Sequence, residues 1–328
     1  MSDILYITGA DRHMFNSTCC LLASFRHRLP GHRLWVADFG LLPAQRELLA
    51  DLDVLLEMPP QVRGQFPPDM AFDRPELGAA LYCKASLLEY VRDRAFDALL
   101  WIDADMMVTG DLAPAAEQLY SSLKEKNCHF AAAPALPRNT LGGLVEAYAN
   151  NADCSAAPFG QRLAELGLDP DRPYINSGFF MATDRDALAQ WRYLTCSTPR
   201  HVLFEQNAFN LVLYLRPEKF ESLDVARWNL NNYMLGETET TIANAFPAVR
   251  FGETQVLLVH ATSNRGDDYF RGERVIVDGD REMAFAMKFF NRPELRVLQE
   301  FYLRDFLAYA GDKAVDAGLA TVKTRASA

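Results

Sequence analysis

The chain has 328 residues, and acids outnumber bases 43 to 33 for a formal net charge of −10. Apolar residues make up 49% and charged residues 23%, which excludes a disordered or fibrous protein and leaves material for a sizeable core. The acidic balance, with no basic run, argues against nucleic acid as a partner.

In chain order, "ILYIT" (4–8) reads as a strand, followed by the turn "GADRH" and the helical run "FNSTCCLLASFRHR". "RLWVAD" (33–38) is a strand, "PAQRELLADL" (43–52) a helix opened by Pro43, and "VLLEM" (54–58) a strand. A long helix is expected over 75–94, again opened by proline, and it delivers the chain to the strand "ALLWIDAD" (98–105). Strand and helix in turn imply an α/β fold, a mainly parallel sheet with helices on both faces. In such sheets ligands bind beyond the carboxyl ends of the strands, where both "TGADR" and the acids of "IDAD" fall. Further on come a helix (112–126), a strand (129–135), a loop-rich stretch to 173, a strand (174–182) and helices at 185–194 and 204–215. A strand (255–262), a helical segment with an aromatic stripe (281–310) and a frayed tail (311–328) complete the reading.

Six cysteines, Cys19, Cys20, Cys83, Cys128, Cys154 and Cys196, form no CxxC pair and are expected as buried thiols of a reducing compartment. The start "MSDILYITGA" does not read as a signal peptide, and no stretch approaches the ~20 apolar residues of a membrane span. A cytoplasmic protein is expected, with possible contact at the inner face of a membrane through the aromatic segment near 285–310.

The chemistry concentrates in "LLWIDADMMV". Residues i and i+2 of a strand project from one face, so Asp103 and Asp105 point the same way. Two like charges in a poorly solvated place raise each other's pKa unless a cation sits between them. Hard oxygen ligands suit Mg2+ or Mn2+; the plain alternative is a pair of solvated aspartates capping a turn. His260 ends the apolar strand of "LLVHATS" and is either a structural histidine or a third ligand, which would tilt the choice to manganese. "INSGFF" sets Asn176, Ser177 and Gly178 between apolar residues, either a bulge or a polar mouth where backbone approaches a ligand. Glu205 and Gln206 open a helix, where an acid also complements the macrodipole.

Together "LYCKASLLEYVRDRAFDALLWIDADMMV", "YINSGFFMA", "EQNAFN" and "LVHATS" resemble, in order, the motifs of family 8-like nucleotide-sugar glycosyltransferases with the GT-A fold, the group of the bacterial galactosyltransferases and glycogenin. The likeness spans residues 3 to 265. It implies one GT-A domain over 1–280, with a nucleotide-binding half (1–110) and a sugar and acceptor half (111–280), then a helical extension (281–310). It implies a UDP-sugar donor, a glycan, lipid-linked or protein acceptor, and transfer with retention. Thr8, Gly9, Ala10 and Asp11 would receive the base and ribose. Tyr82 and Lys84 would reach the donor's phosphate and sugar, with Ala104 beside it. Asn176, Ser177 and Gly178 would meet the sugar, and Glu205 and Gln206 would stand near its anomeric carbon as the catalytic pair. Asp103, Asp105 and His260 would bind the metal. After the histidine the family has Gly-x-x-Lys-Pro-Trp; this chain reads "ATSNRGDDYF", where Arg265 would supply the missing charge. Two other readings fit parts of the pattern: a GT-A-like protein that binds nucleotide sugars without turnover, and a haloacid-dehalogenase-like phosphatase, whose D-x-D normally lies near the chain start.

Overall fold

The structure, a computed structural model, describes residues 2–63, 75–149, 155–198, 201–243, 248–262, 271–278 and 281–324. β1 (Ile4–Ala10) runs through a turn into α1 (Phe15–Arg28), and Asp11 Oδ1 accepts from the backbone N–H of His13 and Met14, both at 2.8 Å. β2 (Leu34–Asp38), α2 (Pro43–Asp51) and β3 (Leu55–Leu56) follow. Pro43 suits the start of α2 because its missing N–H would go unpaired there anyway. Next come α3 (Pro60–Arg63), α4 (Pro75–Ala85) and α5 (Leu87–Tyr90). The single helix expected over 75–94 is thus interrupted at Ser86, which leaves helical geometry with ψ of 18°.

β4 (Ala98–Ile102) and β5 (Met106–Val108) flank the acidic pair, and α6 (Leu112–Lys126) and β6 (Phe130–Pro134) lie where expected. The stretch expected as loop contains α7 (Leu141–Ala147), capped by Thr140 Oγ1, and α8 (Ala157–Glu165). β7 (Ile175–Ala182), α9 (Arg185–Ser197) and α10 (Phe204–Leu215) agree with the sequence reading. Then follow β8 (Phe220–Ser222), α11 (Val225–Trp228), β9 (Leu230–Asn231), α12 (Asn232–Leu235), β10 (Thr240–Ile242), β11 (Val249–Phe251), β12 (Thr254–Gln255) and β13 (Leu258–His260). The C-terminal part departs from expectation. Residues 281–288 are not helical: β14 (Arg271–Asp278) and β15 (Arg281–Lys288) form an antiparallel hairpin. After α13 (Pro293–Ala310), the expected tail holds α14 (Asp312–Asp316) and β16 (Thr321–Thr324), which pairs with β15.

The main sheet has seven strands in the order β3-β2-β1-β4-β7-β6-β8. β1, β2 and β3 are parallel neighbours, and β6 is antiparallel to β7 and parallel to β8. This is the mainly parallel α/β arrangement expected from the alternation of elements.

The chain forms two compact units. One comprises Met1–Leu5, Met58–Trp101 and Pro114–Val225; the other comprises Tyr6–Glu57, Ile102–Ala113 and Ala226–Ala328. The first is built on an aromatic cluster: Phe180 stands 5.2 Å from Phe209 and 5.4 Å from Trp191, and Phe130 stands 5.4 Å from Phe209. Burying each such ring contributes roughly 1.5–3 kcal/mol. In the second, α1 buries Phe15, Cys19, Leu21 and Phe25, and Ser24 Oγ accepts from the N–H of Val108 at 3.1 Å, which fixes β5 against it. α13 covers α1 with a stripe of Leu295, Leu298, Tyr302, Leu303 and Phe306, the spacing of one helical face. Arg26 joins them, 2.5 Å from Asp305 and 3.9 Å over the Tyr309 ring. Cys19, Cys20, Cys83 and Cys128 are buried thiols as expected, whereas Cys196 is exposed; Cys154 lies outside the described residues. Among the described residues no helix is long and apolar enough to cross a membrane.

Candidate functional site

The acidic pair sits just past the end of β4. A tight turn, closed by Met106 N–H donating to Asp103 O at 3.0 Å, carries Asp103, Ala104 and Asp105 from β4 into β5. β5 pairs antiparallel with β13, setting Met106 opposite His260, and Ala261 N–H donates to Asp105 O at 3.0 Å. Gly110 makes this pairing close: a Cβ there would stand 2.8 Å from the carbonyl oxygen of Val256. The register therefore delivers His260 to the carboxylates. One oxygen of Asp103, one of Asp105 and one ring nitrogen of His260 lie within 4.8 Å of one another. His260 Nε2 is 3.2 Å from Asp105 Oδ1 and 3.9 Å from Asp103 Oδ2.

The donor set fits a divalent ion. On the far side of the imidazole, His260 Nδ1 lies 2.7 Å from Asn229 Oδ1. An amide oxygen only accepts, so Nδ1 carries a proton and Nε2 is the ring atom turned towards the two carboxylates. An imidazole oriented in this way by a partner on Nδ1 is what a metal ligand requires. Lys288 completes the cluster, its Nζ 2.6 Å from Asp105 Oδ2. Burial alone would raise the Asp105 carboxyl, but the Lys288 charge and then the His260 ring outweigh it and hold the group well below the usual carboxylate range. Asn229→Ala is expected to weaken binding of a divalent ion, with Mn2+ as the probe, by ~10–100-fold, read by titrating the free ion in EPR. Unchanged affinity would mean that packing alone orients His260.

The remaining polar residues collect in the other unit, on α4, β7 and α10. Lys84 is 6% exposed; its Nζ donates to Ser177 Oγ at 3.1 Å and lies 4.0 Å from Glu205 Oε1. Gln206 Oε1 accepts from Asn176 Nδ2 and from the N–H of Ser177, both at 3.1 Å. Asn176 Oδ1 in turn accepts from Gly178 N–H at 2.8 Å. The Tyr82 ring packs 4.8 Å from Phe204, the first residue of α10. Two supports went unnoticed in the sequence. Asn210 bonds both backbone groups of Ile175 and so clamps α10 to the mouth of β7, and Trp191 Nε1 donates to Glu205 O at 3.0 Å. Ahead of Phe204, Leu203 takes the left-handed conformation with φ of 52°, which costs roughly 1–2 kcal/mol in a residue with a side chain.

The expected turn at "GADRH" is corrected: Gly9 and Ala10, like Thr8 before them, are buried residues of β1, and only Asp11 begins the turn. Gly9 is needed because the Phe39 ring stands 2.3 Å from where a Cβ would be. Thr8 Oγ1 is buried and makes no hydrogen bond among the described residues. Arg265 lies outside the described residues.

The fold is that of the GT-A glycosyltransferases. Among solved structures, the chain resembles the bifunctional glycosyltransferase WbbM (TM-score 0.53, 17% identity, 80% of this chain and 46% of that one). It also resembles the galactosyltransferase LgtC, solved with donor and acceptor sugar analogues (TM-score 0.51, 17% identity, 82% of this chain and 90% of that one). The chain thus spans about half the length of WbbM. At this identity the likeness is one of fold. No protein-family model and no curated relative matches the sequence.

Proposed function

We propose that the chain is a metal-dependent glycosyltransferase that moves a sugar from a UDP-sugar to a glycan, lipid-linked or protein acceptor. The observation that carries this reading is the convergence of Asp103, Asp105 and His260 at the carboxyl end of β4, in a fold shared with glycosyltransferases. Asp103, Asp105 and His260 would hold a divalent cation, which would supply Lewis-acid charge to a departing diphosphate, and an imidazole among the ligands would favour Mn2+ over Mg2+.

The chain's own residues bind and orient. Thr8, Gly9, Ala10 and Asp11 receive the base and ribose, and the backbone at Ala104 lies along the donor. Tyr82, Lys84, Asn176, Ser177 and Gly178 hold the sugar and its phosphate, with Arg265 as a further cation for the diphosphate. Glu205 and Gln206 place acceptor oxygens near the anomeric carbon, where positive charge develops as the bond to the leaving group lengthens. No covalent nucleophile is assigned, and the transfer retains anomeric configuration.

The test is a thermal-shift panel of nucleotide sugars with and without Mn2+, followed by hydrolysis and transfer assays with the best ligand. A ligand present at about 100 times its Kd adds about 2.7 kcal/mol to the native state, several degrees for a chain of this size. A shift that needs both UDP-sugar and Mn2+, with turnover, is expected. Binding without turnover would make this a nucleotide-sugar-binding protein. Phosphate release from a monoester, with no nucleotide affinity, would restore the phosphatase reading.

A further inference from the structure

Asp105 divides its two oxygens between different neighbours. Oδ1 faces His260 Nε2 at 3.2 Å, while Oδ2 accepts from Lys288 Nζ at 2.6 Å. Lys288 is the last residue of β15, and its place is built rather than incidental. β15 pairs with β14 along its whole length, setting Lys288 opposite Arg271, Met287 beside it is buried, and Gln299 Nε2 donates to the Lys288 backbone oxygen at 3.1 Å. The Lys288 side chain is 14% exposed and that of Asp105 6%, so this is an ion pair largely withdrawn from water.

We propose that Lys288 is a resident counter-cation for the metal-free cluster, which an arriving divalent ion displaces from Asp105 and makes available to the diphosphate of the donor. The inference rests on the glycosyltransferase reading above. Its basis is elementary electrostatics. Leaving the imidazole aside, Asp103, Asp105 and Lys288 carry formal charges that sum to −1. A divalent ion among the donors brings the sum to +1, and ammonium and metal then repel each other across one carboxylate, where burial weakens screening. A polyanion bound beside the metal relieves that repulsion. Lys288 therefore opposes metal binding in the absence of an anion and favours the anion once the metal is in place. Metal and diphosphate binding become positively coupled, and the coupling is reciprocal. An ion pair of structural purpose alone gives no such division of sign.

Two affinities decide the matter: Mn2+ for the nucleotide-free protein, by EPR of the free ion, and UDP at saturating Mn2+, by calorimetry. Lys288→Met and Lys288→Gln are compared with wild type, the second keeping a polar tip in case the first does not fold. Both variants are expected to bind Mn2+ several-fold more tightly without nucleotide. Both are expected to bind UDP at least about tenfold more weakly with Mn2+ present, the size of one charge-assisted hydrogen bond. Uridine, which lacks the diphosphate, shows no such weakening on this proposal. Two unchanged affinities, or two that move in the same direction, overturn the role of Lys288 and leave the proposed transferase standing. A wild-type protein that binds neither Mn2+ nor UDP overturns both.

Discussion

Asp105→Asn is expected to abolish detectable Mn2+ binding and to lower sugar transfer by more than ~100-fold, because removing even an outer partner of a metal ligand costs ~10–100-fold and Asp105 is proposed as a ligand itself. Asparagine keeps the shape and one carbonyl oxygen but loses the charge that faces His260 Nε2 at 3.2 Å and Lys288 Nζ at 2.6 Å. The fold should survive, since Asp105 is anchored through its backbone oxygen to Ala261 and the β5–β13 register depends on no side chain of the pair. A melting temperature within about 5 °C of wild type is expected, equivalent to roughly 1–2 kcal/mol. EPR titration of Mn2+ and release of UDP from a UDP-sugar are the measurements. Wild-type turnover in this variant would dismiss the metal from the mechanism, whatever the fold resembles.

What the sequence disclosed follows the range of the interactions involved. The ends of α1, α6 and α10 are written locally, in apolar periodicity and flanking turn residues, and they coincide with the observed helices. The D-x-D pair was legible for the same reason. That His260 joins it depends on β5 pairing with β13, some 150 residues further along, and only the register reveals it. Asn229 and Lys288 belong to no local motif, and Lys288 sits in a stretch whose aromatic content suggested a helix. Its strand had a signal nonetheless: Met283, Phe285 and Met287 alternate and all three are buried, the period of a strand. Gly9 misled in the opposite way. Read as the start of a turn, it is a strand residue kept bare by the Phe39 ring, a contact between neighbouring parallel-strand ends that no single-sequence pattern encodes. The two polar motifs "INSGFF" and "EQNAFN" were legible as motifs, whereas the hydrogen bonds from Asn176 and Ser177 to Gln206 that join them were not.

Trp191→Ala is expected to lower stability by about 3–5 kcal/mol, a large part of the 5–15 kcal/mol typical of a folded domain. Trp191 is fully buried, and its ring stands 5.0 Å from Phe209 and 5.4 Å from Phe180, so truncation leaves a cavity inside the aromatic cluster rather than at its margin. Its indole N–H also donates to Glu205 O at 3.0 Å, which ties the first turn of α10 to α9 immediately after the left-handed Leu203. Trp191→Phe separates the two effects, since it keeps most of the apolar volume and deletes the donor. It should cost about 1–2 kcal/mol, a neutral hydrogen bond plus a modest void. Urea denaturation of both variants gives the two values, and a loss under about 1 kcal/mol for Trp191→Ala would contradict the packing argument. The phenylalanine variant also bears on catalysis. If catalysis needs Glu205 placed to within about 1 Å of its working position beside the anomeric carbon, Trp191→Phe lowers kcat with the KM for UDP-sugar unchanged, because misplacement of a charge-stabilising group is felt in the transition state and not in ground-state binding. Equal kcat in wild type and Trp191→Phe would leave Trp191 a role in packing alone.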